Sequence, residues 1–366
     1  MRSVKDRLEK VFRGTKIDAI LLTTNENLDP NFIYLSGFEN GLDQNGVFES
    51  HYLIATRRGM TIITNPLGIG ECRAQRPREM KIASIDSGKK LIALLRRHLK
   101  GRVVGVNGRF ISYNWIGLLK KEIKPKKIVD ISQAFDSVRE VKDRGELGKM
   151  RTANAIIKKA VDQARAYLVE GVTEMEMSMH IGSLVIKNGG SAPSFPTIVS
   201  FGKNSADPHH MPDSTKLARN TVVMIDAGAR YKGYCSDITR TMIFRPDRKS
   251  DKYARMADIY NTVARAQKLA MKEYIVGNDA SKAHNAAESF INSARGGAYK
   301  GKFMHALGHS VGIDVHDGRN AVSPYSKFKF REGMVFSNEP GIYVNGFCGV
   351  RLEDDVLITR KGPRIL

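Results

Sequence analysis

Asp226 and Asp237 lie in VVMIDAGARYKGYCSDITRTMIF, residues 222–244, where two apolar, β-branched runs flank Arg230-Tyr231-Lys232-Gly233. That pattern predicts a β-hairpin. The two aspartates are symmetric about a midpoint between Tyr231 and Lys232, so a regular hairpin sets both carboxylates side by side on one face. Like charges placed opposite each other destabilise a sheet, so a positive group is expected between them. Taken alone, the pair reads equally well as two exposed aspartates beside a turn. A second stretch, GMVFSNEPGIYVNGFCGVRLEDDVLIT, places Glu339 and Glu353 symmetrically about Gly346. Pro340-Gly341 signals a bend or bulge there. If the two hairpins pack face to face, four carboxylates converge. Burying them without cations is prohibitively costly; one divalent ion offsets part of the charge and two balance all of it.

Between the hairpins lies HALGHSVGIDVHD, with His305, His309 and His316. The spacing of His305 and His309 could put both on one helical face, as in a zinc-binding helix. Gly308 and Gly312 are poor helix residues, however, and no glutamate follows the first histidine. A loop or strand that delivers one histidine as a ligand and the others as substrate contacts fits better. Three histidines within this short stretch, flanked by two carboxylate hairpins, point to a shared site. Upstream, Pro208-His209-His210 follows FGKNSAD and reads as a loop, where a histidine is well placed to meet a substrate.

The elements that must carry these groups follow from periodicity. Residues 4–14 read as an amphipathic helix ended by Gly14, 18–24 and 32–38 as strands, and 51–56 with 60–64 as a hairpin around Arg57-Arg58-Gly59. Helical patterns at 87–99 and 112–123 alternate with strands at 103–106 and 128–131, which argues for a compact α/β domain over 1–132. Gly-x-Gly at 68–70 lacks the context of a nucleotide-binding loop. A polar linker is expected at 133–142 and a second domain at 143–366. The latter opens with a long helix over 144–168, closed by Gly171. A capping box formed by Thr173 and Glu176 begins the next helix, which runs to about Lys187. Strands at 197–201 and 222–244, helices at 252–274 and 280–294, and strands from 336 to 359 complete a pattern of two related α+β halves.

Composition sets outer limits. The 366 residues, 42% hydrophobic and 27% charged, suffice for two domains with sizeable cores. No apolar run approaches the roughly 18 residues of a membrane span, and the charged N-terminus lacks the apolar middle of a secretory signal. Cys72, Cys235 and Cys348 are too dispersed for a disulfide framework or a zinc-finger spacing, so a cytoplasmic protein is expected. The net charge of +21 raises nucleic-acid binding. The basic residues are spread along the chain, thickening in RRHLKGR and KKEIKPKK, and no DNA- or RNA-binding motif accompanies them. A solvated basic face is therefore the expectation.

The segments IDAGARYKGYCSDITRT, HALGHSVGIDVHD, NEPGIY and VRLEDD, in this order and spacing, resemble the pita-bread metallopeptidases, more narrowly the Xaa-Pro dipeptidase (prolidase) and aminopeptidase P branch. The detailed match spans 200–360, and the domain before it resembles the creatinase-type N-terminal domain. The resemblance implies an α+β, two-domain protein whose catalytic domain has pseudo-twofold halves. It implies five metal ligands, Asp226, Asp237, His309, Glu339 and Glu353, with Asp237 and Glu353 bridging two divalent ions per subunit. It further implies substrate contacts from His209, His305, His316 and Arg351, with His209, His316 and Glu339 catalytic. Asp317 in place of the commoner glutamate, and Cys235, are mild departures that remove no ligand. An oxygen-rich donor set suits manganese or cobalt, with iron or zinc as alternatives. The implied reaction is hydrolysis of an Xaa-Pro bond by a water or hydroxide bridging the two metals. The implied enzyme is an Xaa-Pro dipeptidase acting on small proline-containing peptides as a homodimer. Aminopeptidase P is the alternative, and a nucleic-acid-binding member of the fold a third reading. The intact ligand set argues against that third reading.

Overall fold

A computed structural model describes residues 4–24, 29–38, 51–75 and 79–366. The chain divides into two compact units, Met1–Arg139 and Glu140–Leu366.

The first unit contains helices α1 (Val4–Arg13), α2 (Pro30–Ser36), α3 (Ile69–Gln75), α4 (Gly88–Leu99), α5 (Tyr113–Leu118) and α6 (Ser132–Arg139). Its strands are β1 (Ala19–Thr23), β2 (Tyr52–Thr56), β3 (Gly59–Thr64), β4 (Lys81–Ser84), β5 (Val103–Val106) and β6 (Lys127–Asp130). They form one mixed sheet in the order β4-β3-β2-β1-β5-β6. Leu91, Leu95 and Leu99 of α4 pack with Val104, Val106, Trp115 and Leu119 into its core, as the spacing of the leucines predicts.

Two sequence expectations change here. The apolar run 32–38 is not a strand but belongs to α2. Asp29 caps that helix by accepting from the Asn31 N–H, Pro30 opens it, and Gly37 closes it in the left-handed region at φ 68°. Burial of every α2 residue explains why the run carries no helical polar–apolar alternation. The expected linker 133–142 is helical over most of its length, because Phe135 anchors α6 in the core.

The second unit pairs helices twice. α7 (Arg144–Ala164) and α8 (Glu174–Lys187) pack on the short strand β7 (Ala192–Pro193), on β8 (Ile198–Phe201) and β9 (Thr221–Ala227), and on β10 (Ala229–Tyr231), β11 (Tyr234–Cys235) and β12 (Ile238–Phe244). α9 (Asp251–Met271) and α10 (Ala280–Ser293) belong to a separate core. That core draws on β14 (Ala321–Val322), β15 (Val335–Asn338), β16 (Gly341–Val344), β17 (Cys348–Arg351) and β18 (Asp354–Thr359), with β13 (Gly308–His309) paired to β14 and β19 (Gly362–Ile365) beyond at the sheet edge. Each half is thus a helix pair followed by strands, the pseudo-twofold α+β arrangement expected of the sequence. The capping box of Thr173 and Glu176 is present, and a second one, Asp143 with Glu146, starts α7. Among the described residues no helix is long and apolar enough to cross a membrane.

Candidate metal centre

The two hairpins differ in register. In the first, Tyr231 pairs with Tyr234 and Asp226 with Thr239, so the turn is the two-residue Lys232-Gly233, with φ of 49° and 76°. Positive φ at both positions matches the twist of the flanking strands. The midpoint therefore lies one residue beyond the expected place, and Asp237 stands diagonal to Asp226 rather than opposite it. Because the pairing moves by two positions, both aspartates keep the same face. In the second hairpin Gly341 pairs with Arg351 and Asn338 with Asp354, so the ladder is centred on Gly346. Glu339 and Glu353 occupy its interruption beside Pro340, opposite each other as their spacing predicts.

His309 arrives on β13, not on a helix, in line with the loop-or-strand expectation. A Cβ at Gly308 would lie 2.1 Å from the Ser337 carbonyl oxygen, so only glycine lets this strand lie so close to β15. The His309 N–H donates to Ser337 Oγ at 2.9 Å, and Ser337 Oγ donates to Glu339 Oε1 at 3.1 Å. The loop to His316 is held by Lys142, a buried cation 3.4 Å from Asp317 Oδ2 that also donates to Ser310 Oγ at 3.2 Å.

A cavity of about 450 Å³ collects all nine residues expected at the site: His209, Asp226, Asp237, His305, His309, His316, Glu339, Arg351 and Glu353. Its remaining wall is mostly apolar, including Phe195, Ile198, Pro208 and Val315. Ligand atoms of Asp237, His309 and Glu353 lie within 4.8 Å of one another. His309 Nε2 is 3.3 Å from Glu339 Oε1 and 3.5 Å from Asp237 Oδ2.

Electrostatics show what this cluster lacks. Burial, then the neighbouring carboxylates Glu353 and Asp226, push the Asp237 carboxyl well above the usual range. Glu353 is raised the same way, and burial raises Glu339 to about 8 against the pull of Arg351. Burial lowers His309 to about 3, so its ring is neutral. Its Nδ1 faces the Ser310 carbonyl at 3.4 Å, which leaves the Nε2 lone pair directed at two carboxylates. Asp226 Oδ1 and Asp237 Oδ1 are buried with no hydrogen-bond donor. Acceptors facing acceptors with no donor between them fit divalent cations, and the oxygen-rich set suits a hard metal.

Arg351 is the cation that the aspartate pair called for. Its Nη2 donates to Asp226 Oδ2 at 2.5 Å, Nε to Thr239 Oγ1 at 3.0 Å, and Nη1 to Tyr343 Oη at 2.8 Å and the Pro208 carbonyl at 3.3 Å. It lines the cavity, but most of its donors serve the protein rather than a substrate. Thr239 Oγ1 in turn donates to Glu353 Oε2 at 2.6 Å. Tyr343 donates to His305 Nε2 at 2.8 Å, and His305 Nδ1 donates to the Ala306 carbonyl at 2.8 Å. Burial and Arg351 lower His305 to about 4, so it too is neutral. Sequence reasoning missed Thr239, Tyr343 and Asp355. Asp355 Oδ2 accepts from the Asp237 N–H at 3.1 Å and from Asn154 Nδ2 at 2.8 Å. All three stood inside the quoted segments; their proximity to the ligands was the available signal.

Similarity to known proteins covers both units. Residues 148–360 match Metallopeptidase family M24, and residues 5–141 match the Creatinase/Prolidase N-terminal domain. A Xaa-Pro dipeptidase of Pyrococcus horikoshii is 31% identical, with alignment over all of this chain and 98% of the relative. The crystal structure of a prolidase from Pyrococcus horikoshii superposes with a TM-score of 0.86 at 29% identity, covering 98% of this chain and 97% of that one. An X-Pro aminopeptidase from Thermotoga maritima superposes at 0.85 and 26% identity, with 97% of each chain covered.

Proposed function

The chain belongs to metallopeptidase family M24, and on that premise we propose that it hydrolyses the Xaa-Pro bond of dipeptides at the cavity of Asp226, Asp237, His309, Glu339 and Glu353. The observation that carries the reading is the meeting of four carboxylates and a neutral His309 with no donor for Asp226 Oδ1 and Asp237 Oδ1. These five residues would hold two divalent cations, manganese or cobalt by the hardness of the donors. The cations, when bound, supply Lewis-acid polarisation and lower the pKa of water. Asp237 and Glu353, the most deeply buried of the five, would hold the cations from the inner side of the cavity. Glu339, a half-buried carboxylate lining the cavity, would take the proton of the attacking water and deliver it to the leaving nitrogen. His209 and His316 are solvent-exposed at the cavity mouth, where they would contact the substrate and steady the developing oxyanion. Phe195, Ile198, Pro208 and Val315 offer an apolar wall for a pyrrolidine ring, whose amide has no N–H to satisfy.

Two neighbouring activities are separated by chain length of the substrate. Full-length identity to a Xaa-Pro dipeptidase favours the dipeptide reading over aminopeptidase P. With added Mn²⁺, an Xaa-Pro dipeptide should be cleaved in preference to an Xaa-Pro-Pro tripeptide; preference for the tripeptide would reassign the chain to the aminopeptidase branch. Three buried free thiols, Cys72, Cys235 and Cys348, suit the reducing cytoplasm in which we place the enzyme. By family resemblance it is a homodimer, which light scattering would check.

A further inference from the structure

We propose that Glu174 is a positioning residue that sets the reach of His209 into the cavity. The proposal rests on the peptidase reading above and adds a residue outside the cavity to it. Glu174 opens α8, far from the metal-binding hairpins in sequence, and its side chain is fully buried. Its carboxylate faces four donors, all from one loop. Oε1 accepts from the Phe201 N–H at 2.6 Å and from Asn204 Nδ2 at 3.0 Å. Oε2 accepts from the Asp213 N–H at 3.2 Å and lies 2.7 Å from His210 Nε2.

That loop leaves β8 at Phe201 and returns toward β9 carrying Pro208 and His209 at the cavity. Backbone bonds close the attachment: the Glu174 N–H donates to the Thr215 carbonyl and the Met175 N–H to the Asp213 carbonyl, both at 3.1 Å. The adjacent histidines therefore divide the work. His210 is turned onto Glu174, which leaves His209 as the one presented to the cavity, while the Pro208 carbonyl accepts from Arg351 at 3.3 Å. Both Glu174 oxygens are already satisfied by N–H groups, so with His210 and Asp213 nearby the cluster serves to fasten the loop rather than to hold a cation.

A buried carboxylate that gathers four donors is costly to remove, because each donor is then left unpaired. Glu174→Ala should raise backbone hydrogen exchange across 202–215 in the substrate-free protein and leave bound metal per chain unchanged. On an Xaa-Pro dipeptide its kcat/KM should fall about as far as that of His209→Ala, and the double variant should show no further loss. Glu174→Gln, which keeps one acceptor, should recover part of the activity. His210→Gln removes a single contact and serves if Glu174→Ala does not fold; it should give a smaller rise in exchange over the same residues. Unchanged exchange, or losses from Glu174→Ala and His209→Ala that simply multiply, would overturn the proposal. A wild-type protein that ignores Xaa-Pro peptides would instead overturn the functional reading, and the exchange result would still decide the role of Glu174 in holding the loop.

Discussion

The two carboxylate hairpins perform the same task with different registers. In the second, Glu339 and Glu353 stand opposite each other around Gly346. In the first, Asp226 faces Thr239, and Asp237 lies diagonally across, beyond the end of β12. The difference shows that symmetric spacing fixes the face a side chain takes but not its partner. A second lesson concerns charge. Asp226 of the first half is compensated by Arg351 of the second, Glu353 of the second by Thr239 of the first, and the Asp237 N–H is bound by Asp355 of the second. These three contacts all cross between the halves, so the site is complete only in the assembled unit.

The largest effect should come from removing a carboxylate that both halves share. Glu353→Ala should lower kcat/KM by about a thousandfold or more, equivalent to roughly 4 kcal/mol of transition-state stabilisation, and should reduce bound metal below two ions per chain. Full activity with two metals retained would break the account of the second hairpin. Next is the ion pair that joins the halves. Arg351→Met leaves Asp226 buried without its cation and should destabilise the metal-free protein by about 3–5 kcal/mol in denaturant unfolding. A variant as stable as wild type would show that the halves do not compensate each other.

A pH titration of the metal-free protein probes the same crowding. Burial holds Glu339 at about 8, above its ordinary 4.5, so the folded state binds more protons than the unfolded one between those values. Its stabilising contribution is complete below about 4.5 and is lost as pH rises through 8. Neutral His309 and His305, lowered to about 3 and about 4, act in the opposite sense, adding stability as pH rises to about 6.5. Only the carboxylate effect remains above that point. Between pH 6.5 and 8 the metal-free protein should lose stability as Glu339 and the carboxylates raised with it ionise, read as a falling unfolding midpoint. Excess Mn²⁺ should abolish the fall. The smallest effects lie at the turns. Gly233→Ala and Gly346→Ala, at φ of 76° and 73°, should each cost about 1 kcal/mol, visible as a small drop in thermal midpoint.

Much of this was legible from the residues. Periodicity located α4, α7, α8, α9 and α10 because each buries one face and exposes the other, and the capping box at Thr173 marked a boundary correctly. The run at 32–38 misled because burial on all sides erases the polar stripe. The four carboxylates of the cavity were visible as symmetric pairs and the histidine segment as their neighbour, while the choice of His309 among its three histidines came from the family resemblance. The turn at Lys232-Gly233 was misplaced because a non-glycine residue takes positive φ there. Glu174 and Lys142 were invisible as site residues, since each acts through contacts to segments distant in the chain.

The central claim is that the halves together build a metal-dependent proline peptidase. It is tested most directly by stripping the wild-type protein of metal with a chelator, removing the chelator, and assaying an Xaa-Pro dipeptide before and after adding Mn²⁺ or Co²⁺. The account predicts no turnover in the stripped protein and recovery as two equivalents of cation are bound per chain. Undiminished hydrolysis by protein verified to be metal-free, or two bound cations with no hydrolysis of any Xaa-Pro peptide, would contradict it.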